Sequence, residues 1–313
     1  MLIETLKLWQ DRDDVELTTL ITPKNPMLPL LPKRPAVIVC PGGAYLTCPR
    51  HGDEGDPIAM AFAMDGYQAF VLEYSVASRA PMGKTLFPAQ LYDFGKAFLT
   101  IREHAEEWNV DAERISIIGF SAGAHLCGMM ATTWHSGLLS EYFGVPSEYF
   151  RPHTAMLIYG VLDYVLQINE PGEYESKLPG DHNTPVFGVA VPDEETLKKY
   201  SPSRLVNEHT PPTFLAAARD DKMVNPKSTL HMALALDNHK IPYELHMYEY
   251  GSHGFALGRS MMEPWRKDQA RCCETWLEQA KTFLLHHNAP ETTANERDPF
   301  AAFDAMLGGA KLF

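Results

Sequence analysis

The sequence predicts an α/β fold in which a mainly parallel central sheet is covered by helices on both faces. Three observations carry this expectation. Short apolar runs rich in β-branched residues recur along the chain, longer segments with three- and four-residue apolar spacing lie between them, and no internal repeat breaks the alternation. Strands that alternate with helices in this way form parallel sheets whose faces both need covering.

Taken in order, segments 4–8 and 15–21 are expected to add two antiparallel edge strands. The runs "AVIVC" (36–40), "QAFVLEY" (68–74), "ISIIGF" (115–120), "AMLIYG" (155–160), "TFLAAA" (213–218) and "YELHMYEY" (243–250) read as the remaining strands. Between them, Leu91, Phe94, Phe98, Ile101 and Ala105 repeat at helical spacing and predict a helix over 89–108. The rhythm breaks at 164–200, where "EPGEYESKLPGD" and "AVPDEETLKKY" are assigned to a small cap inserted above the sheet. The expected organisation is one catalytic unit over 1–288 and a C-terminal extension over 289–313. That extension ends in "DPFAAFDAMLGGAKLF", which suits packing on the body, covering of the site, or association of copies into a homo-oligomer.

With 313 residues and 45 % apolar content, the chain can bury a large core. Its formal charge of −13 argues against a nucleic-acid binder, which needs surplus Lys and Arg to displace counterions. Cys40, Cys48, Cys127, Cys272 and Cys273 are odd in number and lack the spacing of a disulfide framework or zinc site. The opening "MLIETLKLWQDRDDVEL" has no basic segment followed by an apolar core, and nowhere do about eighteen apolar residues run together. A cytoplasmic protein with reduced thiols and no membrane partner is the expectation.

In "RISIIGFSAGAHLCGMM", Ser121 sits between Gly119 and Gly123, after a strand and before a helix. This is the setting of the nucleophile elbow, G-x-S-x-G, a turn too tight for ordinary flanking side chains. A serine hydroxyl attacks only with an imidazole to take its proton and a carboxylate to hold that imidazole's tautomer. Downstream, "AARDDKMVNP" follows one strand and "GSHGF" the next, in the chain order serine, acid, histidine. His253 is the base candidate, and Asp221 is favoured for the acid over its neighbour Asp220. In "VIVCPGGAY", Gly42 and Gly43 offer unobstructed backbone N–H groups to an oxyanion, and Ala122 offers another at a helix N-terminus. Tyr45 and Asp163 are assigned to the substrate pocket because they follow strand ends. His125, one turn into the helix after Ser121, reads as a buried structural histidine, and His286 and His287 as a helix end. The chemistry calls for no cofactor or metal.

The chain resembles bacterial α/β hydrolase esterases related to acetylesterases and acetylxylan esterases. The resemblance covers roughly residues 35–285 and rests on "VIVCPGGAY", "HGDEGDPIAMAFAMDGYQAFVLEYSV", "ISIIGFSAGAHL", "YSPSRLVNEHTPPTFLAAARDDKMVNP" and "YGSHGF". It implies the α/β-hydrolase fold and a serine esterase acting on small acyl esters, with acetylated sugars or oligosaccharides as the substrate class. It also implies an acid three residues before a valine, which selects Asp221 before Val224. Two features depart from it: Gly160 stands where a proline-containing segment is usual, and the tail after Asn288 has no counterpart. The rival readings are a peptidase of the prolyl-oligopeptidase kind, which usually carries an extra gating domain, and a non-catalytic binding protein on a hydrolase scaffold.

Overall fold

Eight strands form one sheet: β1 (Leu2–Lys7), β2 (Glu16–Ile21), β3 (Arg34–Cys40), β4 (Gln68–Glu73), β5 (Val110–Phe120), β6 (Ala155–Ile158), β7 (Thr213–Ala218) and β8 (Tyr243–Tyr248). In the computed structural model, which describes residues 1–24, 33–80, 85–173, 183–258 and 270–288, their spatial order is β1-β2-β4-β3-β5-β6-β7-β8. β1 and β2 pair antiparallel at one edge and β2 joins β4 antiparallel. From β4 to β8 every neighbouring pair is parallel.

Strand side chains alternate between two cores. Ile38 and Cys40 of β3, Phe70 and Leu72 of β4, and Ile115 and Ile117 of β5 face one side. Val37 and Val39, Ala69 and Val71, and Ile118 and Phe120 face the other. With no polar face, these strands need helices on both sides. The first core is closed by α2 (Ala89–Glu103), α3 (Ala122–Thr133) and α8 (Lys227–Asn238), and the second by α1 (Asp56–Met64) and α9 (Trp276–Asn288). Between α3 and β6 lies α4 (Leu138–Phe143).

Several boundaries differ from the expectation for local reasons. The helix expected over 89–108 stops at Glu103, and Ala105 and Trp108 stay buried beyond its end, with the Trp108 ring stacked on His104 at 4.5 Å. β5 starts at Val110, and an irregularity in its pairing lets Val110 sit opposite Arg34 while Ile115 sits opposite Ala36. β6 ends at Ile158 because Tyr159 turns the chain with a φ of 40°. Among the described residues of 164–200 lie three short helices, α5 (Tyr164–Asn169), α6 (Thr184–Phe187) and α7 (Glu194–Lys199), and residues 174–182 of the expected cap lie outside the described residues. Asp163 and Asp193 cap α5 and α7 by accepting the N–H groups of Leu166 and Thr196. The extension over 289–313 lies outside the described residues. Among the described residues, no helix is long and apolar enough to cross a membrane.

Candidate active site

The centre of the site is the junction between β5 and α3. Ser121 has φ 52° and ψ −117°, a conformation a non-glycine residue holds only where its surroundings impose it, at about 1–3 kcal/mol. Its N–H is fixed to Ile158 O at 3.0 Å, and its own carbonyl accepts the His125 N–H at 3.1 Å. The flanking glycines are steric requirements. A Cβ on Gly119 would lie 2.1 Å from Gly123 O, and one on Gly123 would lie 2.0 Å from Cys40 O. The elbow therefore forces the serine outward while α3 packs directly on the end of β3.

The loops after β7 and β8 bring two side chains to this serine. His253 Nε2 lies 2.9 Å from Ser121 Oγ, placed to accept its proton. Its Nδ1–H donates to Asp221 Oδ2 at 2.7 Å. The other oxygen, Asp221 Oδ1, accepts the Met223 and Val224 N–H groups at 2.8 and 3.0 Å, so this carboxylate is held at both ends. Asp221 is 1 % exposed at its side chain. Asp220 faces elsewhere: its Oδ1 accepts the Gly251 and Ser252 N–H groups at 3.0 and 2.8 Å and holds the loop that carries His253.

The two adjacent glycines after β3 part company. The Gly42 N–H is already donated to Glu54 Oε2 at 2.7 Å, which removes it from the oxyanion donors expected of this turn. The Gly43 and Ala122 N–H groups have no acceptor among the described residues. Gly43 has φ 124°, and a Cβ there would lie 2.2 Å from Thr47 O. Ala44 and Tyr45 follow at φ 53° and 59°, so the turn is strained at these two non-glycine residues, whereas Gly43 takes its positive φ freely. Ala122 opens α3, where the helix dipole favours negative charge.

Tyr45 and Asp163 are not where the pocket assignment put them. Positive φ turns Tyr45 into the core, where it is 1 % exposed and packs edge-on to Tyr74 and Phe87. Its hydroxyl donates to His125 Nδ1 at 2.6 Å, and His125 Nε2–H donates to Tyr200 O at 2.8 Å. Burial pushes the His125 pKa down to about 4, so this ring stays neutral and structural.

Asp163 is 1 % exposed and is used up inside the fold. It caps α5, and its two oxygens receive Arg204 at 3.0 and 3.1 Å and His231 at 2.9 Å. Burial pushes its pKa up, but the bonds from Arg204, His231 and the Leu166 N–H outweigh it and leave the carboxyl below the ordinary aspartate range. Asp163→Ala is expected to cost about 3 kcal/mol, the low end for a broken buried pair because Arg204 is 38 % exposed. A depressed carboxyl stabilises the fold above its unfolded pKa of about 3.9 and loses that contribution as pH falls through the folded value. Urea titrations should therefore show the gap between the two proteins narrowing only at that acid end.

Two residues here were not anticipated, Glu54 and Tyr159. Tyr159 donates its hydroxyl to Glu54 Oε1 at 2.8 Å, accepts the Ala256 N–H at 3.2 Å, and lays its ring 5.1 Å from that of His253. Glu54 lay inside the quoted "HGDEGDP", but nothing in that string points to Tyr159, 105 positions away.

Serine, acid and imidazole lie in that chain order at the carboxyl ends of β5, β7 and β8, which is the arrangement of the α/β-hydrolase class. Sequence comparison narrows the class. The chain belongs to the BD-FAE family, whose model matches residues 29–236. It is 32 % identical over 227 residues, or 72 % of its length, to endo-1,4-beta-xylanase B of Butyrivibrio fibrisolvens. It is 27 % identical over 240 residues, or 75 % of its length, to an acetylxylan esterase of Xylanibacter ruminicola. The matches span only 33 % and 44 % of those two relatives. Among solved structures, it is similar to an acetyl ester-xyloside bifunctional hydrolase from Caldicellulosiruptor lactoaceticus, with TM-score 0.68, 28 % identity, and 89 % and 96 % of the two chains covered. A carboxylesterase from Lactobacillus plantarum, 22 % identical, shares the fold with TM-score 0.77 over 94 % and 100 % of the chains.

Proposed function

We propose that this protein is a serine carboxylic-ester hydrolase acting on small acyl esters, with acetylated sugars or xylo-oligosaccharides as its substrate class. The observation that carries the reading is the unbroken line from Ser121 Oγ through His253 to Asp221, at 2.9 and 2.7 Å, beside the open Gly43 and Ala122 N–H groups. In this scheme Ser121 Oγ attacks the ester carbonyl as His253 Nε2 takes its proton. The carbonyl electron pair moves onto oxygen, where Gly43 and Ala122 donate to it. The intermediate collapses, the C–O bond to the alcohol breaks, and His253 returns the proton to the departing oxygen. Water then enters by the same route and releases the acid. Asp221 holds the proton on Nδ1 throughout, so that Nε2 faces Ser121 with its lone pair.

The acetyl preference is supported by one relative named acetylxylan esterase and one solved structure named acetyl ester-xyloside bifunctional hydrolase. The segment 164–200 is taken as the cap bounding the acyl and alcohol sites. A cytoplasmic location belongs to the same proposal, supported by five cysteines without disulfide spacing. The test is a panel of nitrophenyl esters from acetyl to decanoyl, run beside acetylated xylo-oligosaccharides and a prolyl peptide amide. Turnover should be highest for acetyl and should extend to the oligosaccharides. Preference for the peptide amide would replace the esterase by a peptidase, and inertness toward every substrate would leave a binding protein.

A further inference from the structure

Glu54 lies two residues before α1, half-buried, and touches both halves of the site. One carboxylate oxygen takes the Gly42 N–H at 2.7 Å and the other takes the Tyr159 hydroxyl at 2.8 Å. A Cβ placed on Gly42 would lie 2.7 Å from Glu54 Oε2 and 3.0 Å from Ser121 Cβ, so carboxylate and nucleophile flank the same glycine. An anion beside the place where negative charge develops would oppose catalysis if it faced that charge. Here its lone pairs are instead directed at donors in the protein.

Resting on the esterase reading above, we infer that Glu54 is the positioning residue that sets the oxyanion donor against the catalytic base. On one side it anchors the head of the strained turn. Gly42 is tied to Glu54, and the Gly43 carbonyl accepts the Leu46 and Thr47 N–H groups at 2.9 and 3.0 Å. The Gly43 N–H lies between those two anchors, and an oxyanion donor works to the extent that it is already fixed before charge develops. On the other side it fixes the base. Tyr159, whose hydroxyl it holds, packs its ring on His253 and accepts the N–H of Ala256, three residues further along the same loop. Ala256 is in turn bound through its carbonyl to Trp276 Nε1 at 2.6 Å. One side chain thus joins the ends of β3 and β6 to the loop that carries His253.

The test compares the wild type with Glu54→Ala, Glu54→Gln and Tyr159→Phe, with active sites counted by stoichiometric phosphonylation of Ser121. The readouts are kcat and KM for nitrophenyl acetate and the inhibition constant of an aryl boronic acid, which mimics the tetrahedral intermediate. Glu54→Ala should lower kcat about 100-fold, the lower range for losing one oxyanion donor, and weaken the boronate similarly, with KM changed less than about threefold. Glu54→Gln keeps an oxygen for the Gly42 N–H and should recover to within about tenfold of wild type. Tyr159→Phe, which retains the ring but not the link, should lose about tenfold in kcat and boronate affinity. A purely structural Glu54 would lower the melting temperature while leaving kcat per titrated site unchanged, and that result overturns the inference. If Glu54→Ala does not fold, Tyr159→Phe decides by the same readouts. A wild type that hydrolyses no ester and is not phosphonylated at Ser121 overturns the functional reading and this inference together. An active wild type matched within twofold by Glu54→Ala and Tyr159→Phe overturns the inference alone.

Discussion

Replacing Ser121 by alanine is expected to lower kcat on nitrophenyl acetate by about 10⁵-fold or more, with the residual rate coming from the oxyanion donors and substrate binding. The substitution removes one atom, the Oγ that lies 2.9 Å from His253 Nε2, and nothing else in the site can form the acyl intermediate in its place. Stability should hardly change. Alanine meets the same backbone strain at φ 52° as serine does, and the bonds that fix this residue are made by its main chain to Ile158 and His125. Kinetics on the purified variant together with a thermal melt make the check. A folded variant within tenfold of wild type would remove Ser121 from the mechanism.

The second large effect separates two adjacent carboxylates. Asp221→Asn is expected to cost about 10⁴-fold in kcat, by analogy with the best-studied triad. The structure gives this a specific cause. One oxygen of Asp221 is committed to the Met223 and Val224 N–H groups, so an asparagine keeping those bonds must turn its amide NH₂ toward His253 Nδ1. The ring then keeps its proton on Nε2 and cannot accept one from Ser121. Asp220→Asn should cost about tenfold or less, because its amide oxygen can still accept the Gly251 and Ser252 N–H groups that place the histidine loop. Both variants are to be measured on the same acetyl ester after their melting temperatures are matched. The opposite ranking would exchange the two roles, and wild-type turnover in both would remove the acid from the scheme.

Most of the architecture was legible because it rests on period and order. Strand residues buried on both faces announce themselves as continuous apolar runs, and chain order alone placed an acid and a histidine after the last two strands. Direction was harder to read. Gly42 and Gly43 are equivalent as letters, yet one N–H meets Glu54 and the other does not, and only the fold brings Glu54 to that point. Tyr45 and Asp163 were sought in the pocket because they follow strand ends. Positive φ turned the first into the core, and the second found Arg204 and His231, 41 and 68 positions downstream. Side chains satisfied by partners distant in sequence carry no local signature, and Glu54 with Tyr159 is the same case.

The spatial order of the strands also divides the proposed site between two regions of the sheet. The serine and both open N–H groups belong to the ends of β3 and β5 in the middle of the sheet, whereas acid and base come from β7 and β8 at its far margin. Ser121 and His253 are separated by 132 positions, a closure whose entropy must be met before their contact rewards it. Turnover during refolding therefore reports that the centre and the margin of the sheet are both in place, a stricter condition than the secondary structure read by circular dichroism.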